Sequence, residues 1–347
     1  MRGTGDRWTR RELLTLGGAA ALGGAAALGG AAALSAAFAG ELSGQEARRE
    51  PFSKRAAKQR GRAGMIPIID THQHLWDLDR FRLPWLAGGD RLARSHRMEE
   101  YLTEAAGLNI VKTVYMEVDV DPAQHLAEAE YVTDLCRRDD NPMAAAVVGG
   151  RPASEGFADY IAHFKGNPYI RGVRQVLHGS PKGFCLTEEF VRGIRLLGEA
   201  GLCFDICLRS EELADGAKLA DLCPETRFVL DHCGNASVQA SDLSQWKRDM
   251  EAIAKRKNVE VCKVSGIIAT AKPDAWTPDD LAPIIRHTCE AFGRDRVIFA
   301  SDWPVCTLTA RLRQWVEALK TVVADWSEAD QRKLFHDNAA RFYGLQD

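Results

Sequence analysis

Two histidines separated by one residue, His72 and His74, carry the clearest chemical signal in the sequence. They close the run Ile69-Asp70-Thr71-His72-Gln73-His74. Strand side chains alternate, so both imidazoles point the same way and can hold one divalent ion. His232 closes a second run, Leu230-Asp231-His232-Cys233-Gly234, and Asp302 a third, Ala300-Ser301-Asp302-Trp303-Pro304. Three imidazoles and a carboxylate suit zinc or manganese, with water in an open position. Asp302 can act as ligand, general base, or both in turn. The same alternation turns Asp231 and Ser301 away, toward loop hydrogen bonds.

Other residues join this set as substrate-binding candidates. Glu117 and Asp119 follow a Val/Tyr-rich run, and one carboxylate points inward or caps the next helix. Arg171 and Arg174 flank another run that leads to His178, and an arginine there suits a substrate carboxylate. Asp205 and Lys263 lie inside apolar runs, where a charge is costly unless paired or functional, so the two can pair across the fold. Trp76, Trp85 and Trp303 can wall a pocket or simply pack.

Something must bring these distant residues together. From residue 65 onward, short apolar runs alternate with longer amphipathic ones. Strands are expected over 66–71, 110–116, 144–148, 170–176, 202–208, 227–231, 259–264 and 297–301. Helices are expected over 123–138, 187–200, 211–222, 242–257, 278–292, 310–324 and 328–342. This alternation means a parallel sheet, and eight strands suggest closure into a (β/α)8 TIM barrel. In a closed barrel the eighth strand neighbours the first, so Asp302 approaches His72 and His74. Chemistry sits at the carboxyl ends of barrel strands, where His72, His74, His232 and Asp302 fall. The long 76–97 connection is placed to cover that end.

Composition narrows the rest. A 46% hydrophobic content can fill a large core, and the net charge of −3 offers no argument for nucleic acid. No Gly-x-Ser-x-Gly elbow, phosphate loop or dinucleotide fingerprint occurs. Residues 1–39 look like a twin-arginine export signal, with Arg10-Arg11, an Ala/Gly/Leu stretch, and Ala37-Phe38-Ala39 before a cleavage point at Gly40. This implies the export machinery as partner and a periplasmic or extracytoplasmic location, or a membrane anchor if the segment is retained. Residues 40–64 read as a flexible linker and 65–347 as the folded domain. The nine cysteines are odd in number and scattered through apolar runs, as free buried thiols would be. No Cys-x-x-Cys pair occurs, which argues against a zinc-thiolate site.

Four motifs carry a resemblance: 69–77, Phe228-Val229-Leu230-Asp231-His232-Cys233-Gly234, Cys262-Lys263-Val264-Ser265-Gly266, and Phe299-Ala300-Ser301-Asp302-Trp303-Pro304-Val305. With Asn338-Ala339-Ala340-Arg341-Phe342-Tyr343, they resemble the amidohydrolase-related TIM-barrel metal-dependent hydrolases. The branch is that of L-fuconolactonase, L-rhamnono-lactonase and 2-pyrone-4,6-dicarboxylate lactonase. The resemblance implies hydrolysis of a small lactone with His72, His74, His232 and Asp302 at the centre. The fourth strand offers arginines and no lysine to carboxylate, so one divalent ion is expected rather than two. Some members of the branch need none; Asp302 then acts as base on water. His232 and a basic residue such as Arg174 or Lys263 are expected to stabilise the oxyanion. A metal-dependent decarboxylase and an exported, non-catalytic binding barrel are the rival readings.

Overall fold

In a computed structural model of the chain, residues 64–89 and 91–345 are described. The expected leader and, apart from Gly64, the expected linker lie outside the described residues. The strands are β1 (Ile68–Gln73), β2 (Ile110–Met116), β3 (Met143–Gly149), β4 (Ile170–Arg174), β5 (Cys203–Ile206), β6 (Phe228–Leu230), β7 (Val259–Val264) and β8 (Val297–Phe299). They form one sheet in the order β1 to β8. Every neighbouring pair is parallel.

The seam between β8 and β1 closes by individual bonds, not by a ladder. Thr71 Oγ1 donates to the Phe299 carbonyl at 2.7 Å. Beyond it, Asp302 N donates to His72 O at 2.9 Å and His74 N to Trp303 O at 2.8 Å. The same bonds that close the barrel therefore fix Asp302 beside the histidine pair.

Two layers of apolar residues define the core. Ile69, Val114, Met116, Ala145, Val147, Cys203, Val229, Val261 and Ile298 fill the barrel interior, and Ala339, Phe342, Tyr343 and Leu345 pack against them. The C-terminal segment thus plugs the amino end of the barrel, opposite the chemistry. The expected helix over 328–342 is accordingly interrupted: Glu328–Arg332 and Asn338–Tyr343 are helical, and a π turn, Lys333–Asp337, lies between them. Elsewhere helices run near the expected positions, for example α4 (Glu188–Glu199), where Thr187 caps the Phe190 amide. Sequence reasoning missed two short helices, α1 (Met98–Glu104) and α3 (Phe157–Ala162); α2 (His125–Arg137) lies between them.

The 76–97 connection does cover the carboxyl end. Trp76 exchanges backbone hydrogen bonds with His96 at 3.0 and 2.8 Å, and Arg97 grips Asp77 through two hydrogen bonds of 3.1 and 2.8 Å. Trp76 and Trp303 are both about 1% exposed, so they pack under this loop and do not offer a face to substrate. His96 lies edge-on to both indoles. Trp85 lies edge-on to Trp76 and donates to the Val118 carbonyl at 2.7 Å.

Candidate active site

Asp70, the first polar residue of β1, anchors the site from behind. Its carboxylate accepts from Tyr101 Oη at 2.8 Å and Ser301 N at 2.8 Å, which ties β1 to α1 and to the β8 loop. Burial raises its pKa, against the pull of those donors. Ser301 serves loop hydrogen bonds as expected, its hydroxyl accepting from Trp303 N at 3.0 Å.

Four side chains then meet in front. His72 Nε2 lies 3.1 Å from His74 Nε2, and Asp302 Oδ1 lies 3.2 Å from His74 Nε2 and 3.7 Å from His72 Nε2. The His232 ring sits 4.4 Å from that of His72, centroid to centroid. A metal-binding atom from each of His72, His232 and Asp302 falls within 4.8 Å of the others. His232, Asp302 and His74 retain 6%, 4% and 3% exposure while His72 has none, so solvent and substrate approach from the side of those three.

The donor set fits a divalent cation. His74 Nδ1 faces only acceptors, the Met116 and Glu117 carbonyls, both at 3.0 Å, so it carries the hydrogen. Its Nε2 then faces a carboxylate oxygen and a second imidazole nitrogen. A metal ion among these three atoms would satisfy all of them at once. Burial holds His72 well below the usual histidine pKa, and burial also lowers His232, as neutral ligands require. Bonds of 2.0–2.1 Å in a tetrahedral site imply ligand separations of roughly 3.3 Å, within the observed spread.

Backbone strain concentrates here. His232 and Asp302 both adopt left-handed conformations, with φ of 54° and 56°, just after β6 and β8 end. Such residues cost of order 1–3 kcal/mol each and persist only where surrounding structure enforces them. At His232 the enforcement is visible. Its Nδ1 meets Ser265 Oγ at 2.9 Å, and the ring lies so close over Gly266 that a β-carbon there would fall 2.5 Å from His232 Cγ.

Below the histidines lies a buried ionic floor. Arg174 Nε donates to Glu117 Oε1 at 2.7 Å, and its Nη1 reaches Asp231 Oδ2 at 3.3 Å and His72 Nε2 at 3.1 Å. Lys263 on β7 pairs over the intervening β6 with Asp205 on β5, and with Asp231 Oδ1 at 3.1 Å, and approaches His72 Nδ1 at 3.3 Å. Burial opposes the charge on Arg174, Glu117, Lys263 and Asp231. Their mutual pairing outweighs it and keeps all four charged. Asp205 is pushed up to about 6 by burial, with Lys263 opposing. Asp231 therefore does not face away, as alternation along the run had suggested. It follows Val229 into the interior, because the left-handed turn begins only at His232.

The remaining candidates separate. Arg171 starts β4 and so lies at the amino end of the barrel, next to Gly344 and away from the site. Asp119 pairs with Arg151 at 2.6 Å, and the cap of the following turn is supplied by Asp121. His178 Nε2 meets the Leu208 carbonyl at 3.1 Å and Cys207 Sγ at 3.7 Å, beside the site on the β5 side. None of the nine cysteines is in a disulfide, and all are buried. Sequence reasoning missed roles for Asp70, Cys207, Ser265 and Gly266. Serine and glycine after a strand give little signal of their own.

Comparison with known proteins agrees with this geometry. The sequence pattern of the family described as amidohydrolase matches residues 69–345. The chain is 28% identical over 299 residues to an L-fucono-1,5-lactonase of Burkholderia multivorans, covering 80% of this chain and 96% of that one. It is 22% identical over 331 residues to an L-rhamnono-gamma-lactonase of Scheffersomyces stipitis, covering 80% and 98%. Among solved structures, an amidohydrolase from Burkholderia multivorans crystallised with bound zinc superposes with a TM-score of 0.72 at 25% identity, covering 81% of this chain and all of that one. The protein is an enzyme, and its chain belongs to the amidohydrolase family.

Proposed function

We propose that the enzyme opens a small lactone, a sugar-acid or aromatic-catabolic cyclic ester, by attack of water. The observation that carries this reading is the meeting of Asp302 with His72, His74 and His232 on the open side of a charged, buried floor. Its likeness to lactonases of two sugar acids supports the substrate class.

A divalent ion, zinc or manganese, held by His72, His74, His232 and Asp302, would supply Lewis-acid activation of water and carbonyl. Asp302 takes the proton of the attacking water. In the metal-free route His232, aimed by Ser265, can donate from Nε2 to the carbonyl oxygen as negative charge develops there. The tetrahedral intermediate collapses by breaking the ring C–O bond, and Asp302 returns the proton to the departing hydroxyl. Arg174 and Lys263 are engaged with carboxylates, so they act by fixing His72 and setting the local potential, not by touching substrate. In the metal-free route Asp302, held against His74, acts as base on its own. Glu117, Asp205 and His178 stand behind or beside the reacting centre.

The test is a lactone panel with product identification. Each productive lactone should yield one hydroxy acid and no carbon dioxide. Release of carbon dioxide from an aromatic acid would favour a decarboxylase. Tight ligand binding without turnover would favour a binding barrel. We place the activity outside the cytoplasm, on the strength of Arg10-Arg11 and the apolar stretch that follows.

A further inference from the structure

A second group of donors lies at the same end of the barrel. Cys207, Asp231 and His232 each offer one ligand atom within 4.8 Å of the others, and all three are buried. Cys207 comes directly after β5, and its sulfur lies among nitrogen donors: His178 Nε2 at 3.7 Å and Asn235 Nδ2 at 3.9 Å. The same two nitrogens face the Leu208 carbonyl at 3.1 and 2.8 Å, which requires a hydrogen on His178 Nε2. The Leu208 carbonyl takes the one hydrogen of His178 Nε2 and one of the two on Asn235 Nδ2, so the second Asn235 hydrogen can reach the sulfur, as outer partners orient a metal-bound thiolate.

His232 belongs to both groups. Its Nδ1 is committed to Ser265, which leaves Nε2 as the one ligand atom for either set. An ion held with His72 and Asp302 and an ion held with Cys207 and Asp231 thus exclude each other. The two sets also differ in softness. Imidazole and carboxylate suit manganese or zinc, whereas a thiolate favours softer ions. Asp231 is shared with Lys263 and Arg174 at 3.1 and 3.3 Å, and an ion must draw it partly from them. The negative charge of the thiolate offsets that cost.

We propose that Cys207, Asp231 and His232 form a thiophilic metal site that competes with His72 and Asp302 for His232. A soft ion lodged there withdraws His232 from the catalytic set. No cysteine spacing rule would reveal this site, because its one thiolate comes from a different strand than its imidazole.

The test is titration of the full-length, metal-free protein with cadmium, followed by ultraviolet absorption. One equivalent should raise a thiolate-to-cadmium charge-transfer band. Cys207→Ser should abolish the band, and Asp302→Asn should retain it. No band in the wild type, or a band that survives Cys207→Ser, overturns the proposal. Cadmium-edge X-ray absorption on the wild type needs no variant. One sulfur in the shell, with nitrogen and oxygen, supports the site, and a shell of nitrogen and oxygen alone overturns it.

Discussion

Gly266→Ala should displace His232 and disable the site while leaving the barrel folded. The added carbon would lie 2.5 Å from His232 Cγ and 2.6 Å from Cβ and Nδ1, where ordinary contact begins at 3.4 Å. The ring must therefore move by roughly 1 Å, a displacement that can cost about 100-fold in rate. It would also lose its 2.9 Å contact with Ser265. Gly266 has a φ of +70° with ψ of −37°, outside the left-handed helical well, and an L-residue there adds about 1–3 kcal/mol of strain. Melting should fall by about 2–12 °C. The assay is kcat/KM on the best lactone of the panel, with a thermal melt on the same sample. Ser265→Ala keeps the space but removes the hydroxyl, and should give a smaller loss, about tenfold. A folded Gly266→Ala enzyme with wild-type kcat/KM would refute the reasoning that His232 must sit where it does.

Further outcomes follow from the same structure. Burial, with Glu117 adding to it, pushes Glu128 up to about 8 from its ordinary 4.5. Folding thus holds a proton between pH 4.5 and 8 that the unfolded chain releases, and this contribution to stability falls as pH rises through the window. Glu128→Gln, permanently neutral, should gain stability relative to wild type by up to about 1.4 kcal/mol per pH unit across it. Denaturant melts at several pH values give the answer, and parallel curves would sink the idea. Dialysis against a chelator should lower turnover, and zinc or manganese should restore it; undiminished activity would favour the metal-free route with Asp302 as base. Mass spectrometry of the exported protein should give a chain beginning at Gly40, and an intact N-terminus would mark a retained anchor.

Much of the site was legible because barrel geometry converts sequence position into place. His72, His74 and Asp302 each end an apolar run, and closure of β8 on β1 brings them together. Asp205 and Lys263 stood out as charges inside strands, and they do pair, although over the one strand between β5 and β7 and not across the barrel. Asp231 was misread because alternation was carried past the residue where the backbone turns left-handed. Arg171 and Arg174 looked equivalent, but they sit at opposite ends of a five-residue strand, and only the carboxyl end faces the chemistry. Ser265 and Gly266 act through a hydrogen bond and an absent side chain, neither of which leaves a pattern in a single sequence. Of the two roles open to the tryptophans, the packing one is visible, with Trp76, Trp85 and Trp303 in edge-on ring contacts with each other or with His96.

The central claim is that Asp302 handles the proton of a water that opens a lactone. The most direct test is lactone hydrolysis by Asp302→Asn, followed by titration of released acid. The amide nearly matches the carboxylate in size but cannot accept that proton. The account predicts a fall in kcat of at least about 100-fold, within the range for loss of a general base, with the protein still folded. Turnover by Asp302→Asn at the wild-type rate on every lactone the enzyme accepts would contradict it.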